Sequence, residues 1–492
     1  MPAPHLPPDP ASLAGGPAGP RALAPLLHTV LEALADGADA RCGPLPPGGP
    51  GAVGRAVACR CAPVLPRQGT GAHEALRELV GLLAEGAADP ADPHCAAHLH
   101  CPPLAVAAAA DLAAAALNPS MDSWDQAPAA SALETLVTEE LAGRVHPGGP
   151  DPAALVTTGG TEGNQLGLLL AREAPGASGD GHRLRVLCGA NAHHSVLRAA
   201  WLLGLPAPHV LPTPAGTLDP AAVHTALRDT PDPGAPALVV ATAGTTDSGA
   251  VDPLPGLAAT AAAHRARLHV DAAYGGPLLF SAARRHLLDG LGRAHSVTLD
   301  LHKLGWQPVA AGLLTVPDRA FLKPLEHRAA YLNPGDDTEA GLPDLLGRSL
   351  RTTRRPDILK IAVTLRALGE EGLGALIDRT CEAAAQLAAL VDSDPRLELR
   401  TRPVLSTVLF RPAGATDALV AAVRRRLLAD GRAVLGRAHA PDTGGRERLW
   451  LKATLLNPHV QPDDLAALIK LVHEAAAGGA GPVHSPARRA VR

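Results

Sequence analysis

HVDAAYGG at His269–Gly276 and SVTLDLHK at Ser296–Lys303 are the two stretches that decide how this chain folds. Each opens as a short apolar run of strand length and closes on a charged residue, Asp271 in the first and Lys303, thirty-two positions on, in the second. Similar runs recur on both sides as ALVTT (154–158), RVLCG (185–189), ALVVATAG (237–244), ARLHVDAA (266–273) and AGLLTV (311–316), with helical stretches between most of them. Continuous apolar strands alternating with helices mark a mostly parallel sheet buried on both faces, and such sheets bind ligands beyond the carboxyl ends of their strands.

Outward from these strands, residues 104–355 read as one large α/β domain. Residues 21–103 carry the helical patterns ALAPLLHTVLEALADG and HEALRELVGLLAEG, which suit an N-terminal arm that packs in a dimer. From Pro356 the order is helix, helix, strands, helix, strand, helix, a smaller α/β domain over 356–474. The ends, 1–20 and 475–492, are rich in Pro and Gly and are expected to be disordered. A chain of 492 residues exceeds what one core usually holds, so two packed units are expected.

Lys plus Arg number 44 against 48 Asp plus Glu, and neither sign forms a block, which excludes a nucleic-acid or membrane-surface patch. Seven cysteines without a framework spacing, and an N-terminus MPAPHLPPDP lacking the basic start and apolar stretch of a signal peptide, point to a reducing cytoplasm. The most apolar run, Leu104–Leu117, is interrupted by Asp111 and is shorter than the ~20 residues of a membrane span. High Gly, Pro and Ala content with 2% aromatics reads as base-composition bias.

The chemistry begins with Lys303. A lysine at a strand end, shielded from water, offers an amine for Schiff-base formation, and no second amine is expected beside it. Asp271, buried at the end of a neighbouring strand, needs a cationic partner, and the pyridinium nitrogen of pyridoxal phosphate suits it. LVTTGGTEGNQLGLLLAR (155–172) reads as strand, Gly-rich turn and helix start, where Gly160, Thr161 and the helix N-terminus offer donors to a phosphate; it is neither a P-loop nor a dinucleotide fingerprint. In ANAHHSVLRAA (190–200), His193 or His194 is placed to lie flat on a pyridine ring, with an ordinary surface histidine as the alternative.

In this order, GGTEGN, AHHSV, TAGTTDSGAVDPL, HVDAAYGG and DLHK resemble the group II pyridoxal phosphate decarboxylases, the family of glutamate, aromatic and diamino acid decarboxylases. The resemblance runs from about His94 to Pro458. It implies the type I, aspartate aminotransferase-like fold, with a mostly parallel seven-stranded large domain, a smaller C-terminal α/β domain, and a homodimer whose active sites are shared. It further implies that Gly160 and Thr161 hold the phosphate, His193 stacks on the ring, Thr246 lies near the cofactor, Asp271 pairs with the ring nitrogen, Ala273 packs on the ring, His302 contacts the phosphate side, Lys303 bonds the cofactor and Tyr331 protonates Cα.

HCAAHLHCPP (94–103), LNPSMDSWDQAPAASALE (117–134), YLNP (331–334), TTRR (352–355) and LKATLLNP (451–458) look like the bacterial L-2,4-diaminobutyrate and related diamino acid decarboxylases. That likeness implies a substrate-facing role for His100, Asp122 and Arg355, with Asp122 drawing a distal ammonium where relatives with aromatic substrates carry an apolar residue. Lysine and ornithine differ from diaminobutyrate only in chain length. A zinc site built from His94, Cys95, His98, His100 and Cys101 is the weaker reading of the first segment. Gly163 departs from the small polar residue expected in the phosphate turn, and Pro356 and Ile358 stand where diamino relatives carry an aromatic and an Ala. The rivals are an aromatic or acidic amino acid decarboxylase, a carbon–carbon lyase of the same fold, and a non-catalytic homologue that binds the cofactor.

Overall fold

A computed structural model of the chain describes residues 10–174, 183–230, 232, 234–327, 329 and 332–478. It opens with three helices, α1 (Gly19–Arg41), α2 (Gly49–Cys61) and α3 (Ala72–Gly86). α1 takes in Gly19 and Pro20, which the sequence reading assigned to the N-terminal tail. Close packing of α1 on α3 depends on Gly37, where a Cβ would stand 2.6 Å from that of Ala84. Both helices keep large apolar side chains in solvent, Leu31 and Leu34 on α1 and Leu79 and Leu83 on α3. The arm then departs from a purely helical reading, because strand β1 (Cys95–Ala96) pairs in parallel with a strand of the C-terminal sheet.

Helices α4 (Ala105–Leu117) and α5 (Pro128–Val145) lead into the large sheet. Its strands are β2 (Ala153–Thr157), β3 (Arg185–Gly189), β4 (His209–Leu211), β5 (Ala237–Thr242), β6 (Arg267–Ala272), β7 (Ser296–Asp300) and β8 (Gly312–Val316). They lie in the order β2-β8-β7-β6-β5-β3-β4, and β8 alone runs against its two neighbours. Six of the seven match the apolar runs of the sequence. β4 is three residues long with two of them exposed, too brief to leave a periodic signal. Helix α6 (Gly160–Arg172) covers β6, β7 and β8, and α7 (Ser195–Leu202) follows β3. Leu268, Val270, Val297 and Leu313 are all at most 1% exposed, as expected for a parallel sheet covered on both sides.

The C-terminal part carries β9 (Leu397–Leu399), β10 (Thr407–Pro412), β11 (Val434–Pro441) and β12 (Glu447–Thr454), a sheet in the order β1-β11-β12-β10-β9. The two helices expected after Pro356 lie within Ile358–Ser393 and meet across a kink at Gly369, whose φ of 64° no other residue adopts cheaply. β11 has the alternation of a half-exposed strand, with Arg437 and His439 out and Ala438 and Ala440 in, but Gly and Ala at its inward positions give only a weak apolar signal. The last helix, Pro462–Ala477, runs past the expected start of the tail at 475. No helix among the described residues is long and apolar enough to cross a membrane.

Candidate active site

The carboxyl ends of β2, β5, β6 and β7 open onto one cavity of about 390 Å³. Gly160, Thr161, His193, Thr246, Asp271, Ala273, His302 and Lys303, eight residues far apart in sequence, all line it. Each arrives on a strand end or the turn after it, which explains why they converge.

Lys303 Nζ lies 2.9 Å from Asp300 Oδ2, and Asp300 is 1% exposed. His302 Nε2 approaches the same oxygen at 3.6 Å. The imidazole accepts from Ala311 N–H at Nδ1 (3.3 Å), which leaves the proton on Nε2, facing Asp300. Burial lowers the His302 pKa, and the nearby Asp300 carboxylate opposes that shift. Asp271 is 5% exposed and both its oxygens are held: Oδ2 accepts from Asn164 Nδ2 at 2.7 Å and Oδ1 from Ala273 N–H at 3.1 Å. His193 Nδ1 lies 2.8 Å from Ser195 Oγ, and burial lowers its pKa against the pull of Asp271.

Thr246 sits in the loop after β5, which Asp252 ties down. The Asp252 carboxylate, 2% exposed, accepts from Thr242 N–H (2.7 Å), Leu218 N–H (2.8 Å) and Asn191 Nδ2 (3.0 Å), so it fixes the loops of Thr246 and His193 together. Lys452 on β12 reaches in from the C-terminal sheet and lines the same cavity. This corrects the expectation that Lys303 has no rival amine. Lys452 Nζ is nonetheless held by Thr246 O (3.1 Å) and Asp247 Oδ1 (2.8 Å).

The turn between β2 and α6 is shaped for an anion. Gly159 has φ 148°, and a Cβ there would stand 2.8 Å from the His302 ring; one on Gly160 would stand 2.8 Å from Ala273 Cβ. No side chain caps the α6 N-terminus, whose free N–H groups favour a phosphate. The Gly163 departure also has a cause, because a Cβ would meet Thr298 Oγ1 at 2.5 Å and Cγ2 at 2.6 Å. Two polar atoms on the cavity wall, Asp300 Oδ1 and Thr242 Oγ1, are buried without a hydrogen-bond partner. A cradle without Cβ atoms, a lysine, a clamped carboxylate and orphaned polar atoms together fit pyridoxal phosphate.

The expected substrate residues are not brought to this cavity within the chain. His100 is exposed and off the wall, whereas His98, two residues earlier at φ 62°, lines it. Arg355 is exposed and pairs with Asp111 at 3.0 Å. Asp122 lies in the α4–α5 connection, which Met121 N–H fastens to Arg354 O at 2.9 Å, and its Oδ1 is buried without a partner. Arg354 in turn forms a buried two-bond ion pair with Glu134, at 2.6 and 2.7 Å. Tyr331 lies outside the described residues. Of the cysteines and histidines in 94–101, Cys101 Sγ donates to His302 O at 3.2 Å, and burial raises its pKa to about 12.

Comparison with known proteins agrees with this geometry. A profile of the pyridoxal-dependent decarboxylase conserved domain matches residues 65–413. The L-2,4-diaminobutyrate decarboxylase of Rhizobium meliloti (strain 1021) is 42% identical over 426 residues, which cover 84% of this chain and 83% of that protein. The enzyme of the same name from Acinetobacter baumannii is 33% identical over 435 residues, 82% of this chain and 84% of that one. Among solved structures, the glutamate decarboxylase domain of diaminobutyrate-pyruvate transaminase and L-2,4-diaminobutyrate decarboxylase from Vibrio parahaemolyticus superposes with a TM-score of 0.83 at 31% identity, covering 95% of this chain and 98% of that one. With the sheet, the cavity and the sequence likeness all in agreement, the chain belongs to the pyridoxal-dependent decarboxylase family.

Proposed function

We propose that this chain removes the α-carboxylate of L-2,4-diaminobutyrate as carbon dioxide, leaving the diamine. The observation that carries the reading is the meeting of Lys303, Asp271 and His193 on one cavity wall, joined to 42% identity with a protein named for that reaction. When bound, pyridoxal phosphate supplies an electron sink conjugated with the substrate Cα. Lys303 would supply the amine that holds it. Asp271, clamped at both oxygens, would hold the protonated ring nitrogen, and His193 and Ala273 would pack against the ring. Gly160, Thr161 and the α6 N-terminus would take the phosphate, with His302 on the phosphate side and Thr246 near the cofactor. Tyr331 is the proton donor to Cα.

We place specificity on Asp122 in a homodimer with shared sites. The exposed leucines of α1 and α3 suit burial against a second copy, and the unpartnered Asp122 Oδ1 suits an ammonium. His100 and Arg355, off the cavity of their own chain, are assigned to the substrate side of the same shared site. Seven free thiols suit a cytoplasmic protein. We assign 21–103 to the arm, 104–355 to the cofactor domain and 356–474 to the small domain, with α1 beginning at Gly19, β1 of the arm completing the small domain's sheet and the last helix ending at Ala477.

The test is carbon dioxide release with L-2,4-diaminobutyrate, ornithine, lysine, glutamate and a neutral amino acid. Diaminobutyrate should give the highest kcat/KM. Asp122→Asn should lower that value by about 10- to 150-fold, the equivalent of about 1.5–3 kcal/mol for a charge-assisted hydrogen bond, and spare the neutral substrate. A preference for an aromatic or acidic amino acid overturns the substrate; equal losses on all substrates overturn the role of Asp122.

A further inference from the structure

We infer that Asn164 is a positioning residue that orients both Asp271 and His193 toward the cofactor, and that His269, as an Nε2–H donor, fixes the direction of the Asn164 amide. The inference rests on the reading above that Asp271 and His193 face the cofactor. None of Asn164, Ser195, His269 and Ser296 lines the cavity; they form a buried layer behind it.

Proton accounting gives the direction. Asn164 is 0% exposed and makes three contacts: Nδ2 to Asp271 Oδ2 (2.7 Å), Nδ2 to Ser195 Oγ (2.8 Å) and Oδ1 to His269 Nε2 (3.0 Å). A carboxylate only accepts, so the amide nitrogen must face Asp271 and the amide oxygen must face His269. His269 Nε2 therefore carries a proton. This histidine is fully buried and its pKa is pushed down to about 4 by that burial, so it holds a single ring proton and its Nδ1 accepts from the Ser296 hydroxyl at 2.8 Å. Ser195 Oγ accepts from Asn164 and has one proton of its own, which goes to His193 Nδ1 at 2.8 Å, where the Ser195 backbone N–H also donates at 3.4 Å. His193 is thereby set to carry its proton on Nε2. Every bond runs the same way, from Ser296 toward the cavity.

Packing makes room for this arrangement. His269 and Asp271 stand two apart on β6 and so share the face that α6 covers. α6 has no side chain where His269 comes up against it: a Cβ on Gly167 would lie 2.5 Å from both Cε1 and Nδ1 of the ring. One turn earlier, Gly163 gives the same clearance to Thr298 of β7. The helix is relieved at both positions, and Asn164 projects from the gap.

The test reads tautomers in protein without cofactor. With 15N-labelled histidine, long-range 15N–1H correlation should show His193 and His269 both in the Nε2–H form, His193 being assigned by its loss in His193→Gln. Asn164→Asp puts an acceptor where a donor faced Ser195. The serine must then donate to residue 164, and His193 should switch to the Nδ1–H form, while His146, buried elsewhere against Thr315, keeps its signals. If Asn164→Asp does not fold, Ser195→Ala decides the same point: with only the longer backbone N–H of residue 195, at 3.4 Å, left on Nδ1, the Nδ1–H form of His193 should become populated. In the cofactor-loaded enzyme, Asn164→Asp should raise the pyridoxal phosphate Kd at least tenfold, read from cofactor absorbance after dialysis. A wild-type Nδ1–H form of His193, or an unchanged His193 in the variants, overturns the network. A tautomer switch with unchanged cofactor affinity and absorbance overturns instead the assignment of Asp271 and His193 to the cofactor, and the role of Asn164 with it.

Discussion

Replacing Asp271 by Asn separates charge from shape. The native carboxylate accepts from two donors, Asn164 Nδ2 at 2.7 Å and Ala273 N–H at 3.1 Å, while keeping lone pairs for the cavity side. An Asn side chain has one acceptor oxygen, so one of those donors must face an NH2 group. Leaving a buried donor unmade costs about 1–3 kcal/mol, and that is the expected loss of folding stability. The loss of the charged partner to a protonated ring nitrogen adds about 1.5–3 kcal/mol, or about 10- to 150-fold, to cofactor release. With cofactor saturating, the rate should still fall by about 100-fold or more, because a neutral amide cannot retain the proton that makes the ring an electron sink. Three measurements on one preparation suffice: denaturant midpoint, pyridoxal phosphate Kd, and kcat for carbon dioxide release. A variant that regains near wild-type kcat once the cofactor is saturating would falsify the electron-sink role and leave Asp271 as a binding residue only.

Lys303→Ala should abolish turnover and the visible absorbance of the bound cofactor; a borohydride-reducible adduct found on Lys452, the other lysine in the cavity, would refute the assignment. Glu134→Gln should destabilise the fold by about 3–5 kcal/mol by stranding the buried Arg354 charge, and Glu134→Gln combined with Arg354→Met should recover most of it; additive losses in a denaturation series would show that the pair is not coupled. Gly163→Ser should cost about 1–3 kcal/mol through its clash with Thr298, and Thr298→Ala should recover part of it, since Cβ of residue 298 still stands 3.1 Å away; a stable single variant would show that the helix can shift away.

What could be read in the sequence follows from where each residue stands on the chain. Asp271, Ala273, His302 and Lys303 close strands whose apolar runs are unbroken, so a local motif carries both the element and the chemistry. Gly160 and Thr161 are legible for the same reason, as a turn between a strand and a helix. His98 and Lys452 were missed because nothing local aims them. His98 reaches the wall by way of a left-handed backbone, and Lys452 depends on the pairing of β12 with β10 and on how the C-terminal sheet meets the loop of Thr246. Asp300 was quoted within DLHK and given no role, although it sits closer to Lys303 than any other charged group shown here. The two-residue strand β1 could not be foreseen, because two residues have no period.

The cavity is held differently from the segment bearing Asp122, and under the proposed role of Asp122 this bears on substrate specificity. Its back wall consists of strand ends locked by buried hydrogen bonds: Asp252 on three donors, Asp271 on two, and Tyr274, fully buried, bonded to Ser406 and Thr407 of the C-terminal part at 2.8 and 3.0 Å. Groups so placed cannot move without stranding a partner, so they suit the part of the reaction common to every substrate of the family. The segment bearing Asp122 is fastened differently, by one backbone bond to Arg354 and, through that residue, by the ion pair with Glu134. Nothing on the back wall depends on it. Under the proposed role of Asp122, substitutions in 118–127 should therefore change which side chain is accepted without disturbing cofactor geometry, whereas substitutions at Asn164 or His269 should change the chemistry on every substrate alike. Measuring kcat/KM for diaminobutyrate and a neutral amino acid on Asp122→Asn and Asn164→Asp together distinguishes the two layers: a ratio that moves only in the first, and a common loss only in the second, is the expected result. A changed ratio in Asn164→Asp would mean that the buried layer reaches the substrate side chain as well.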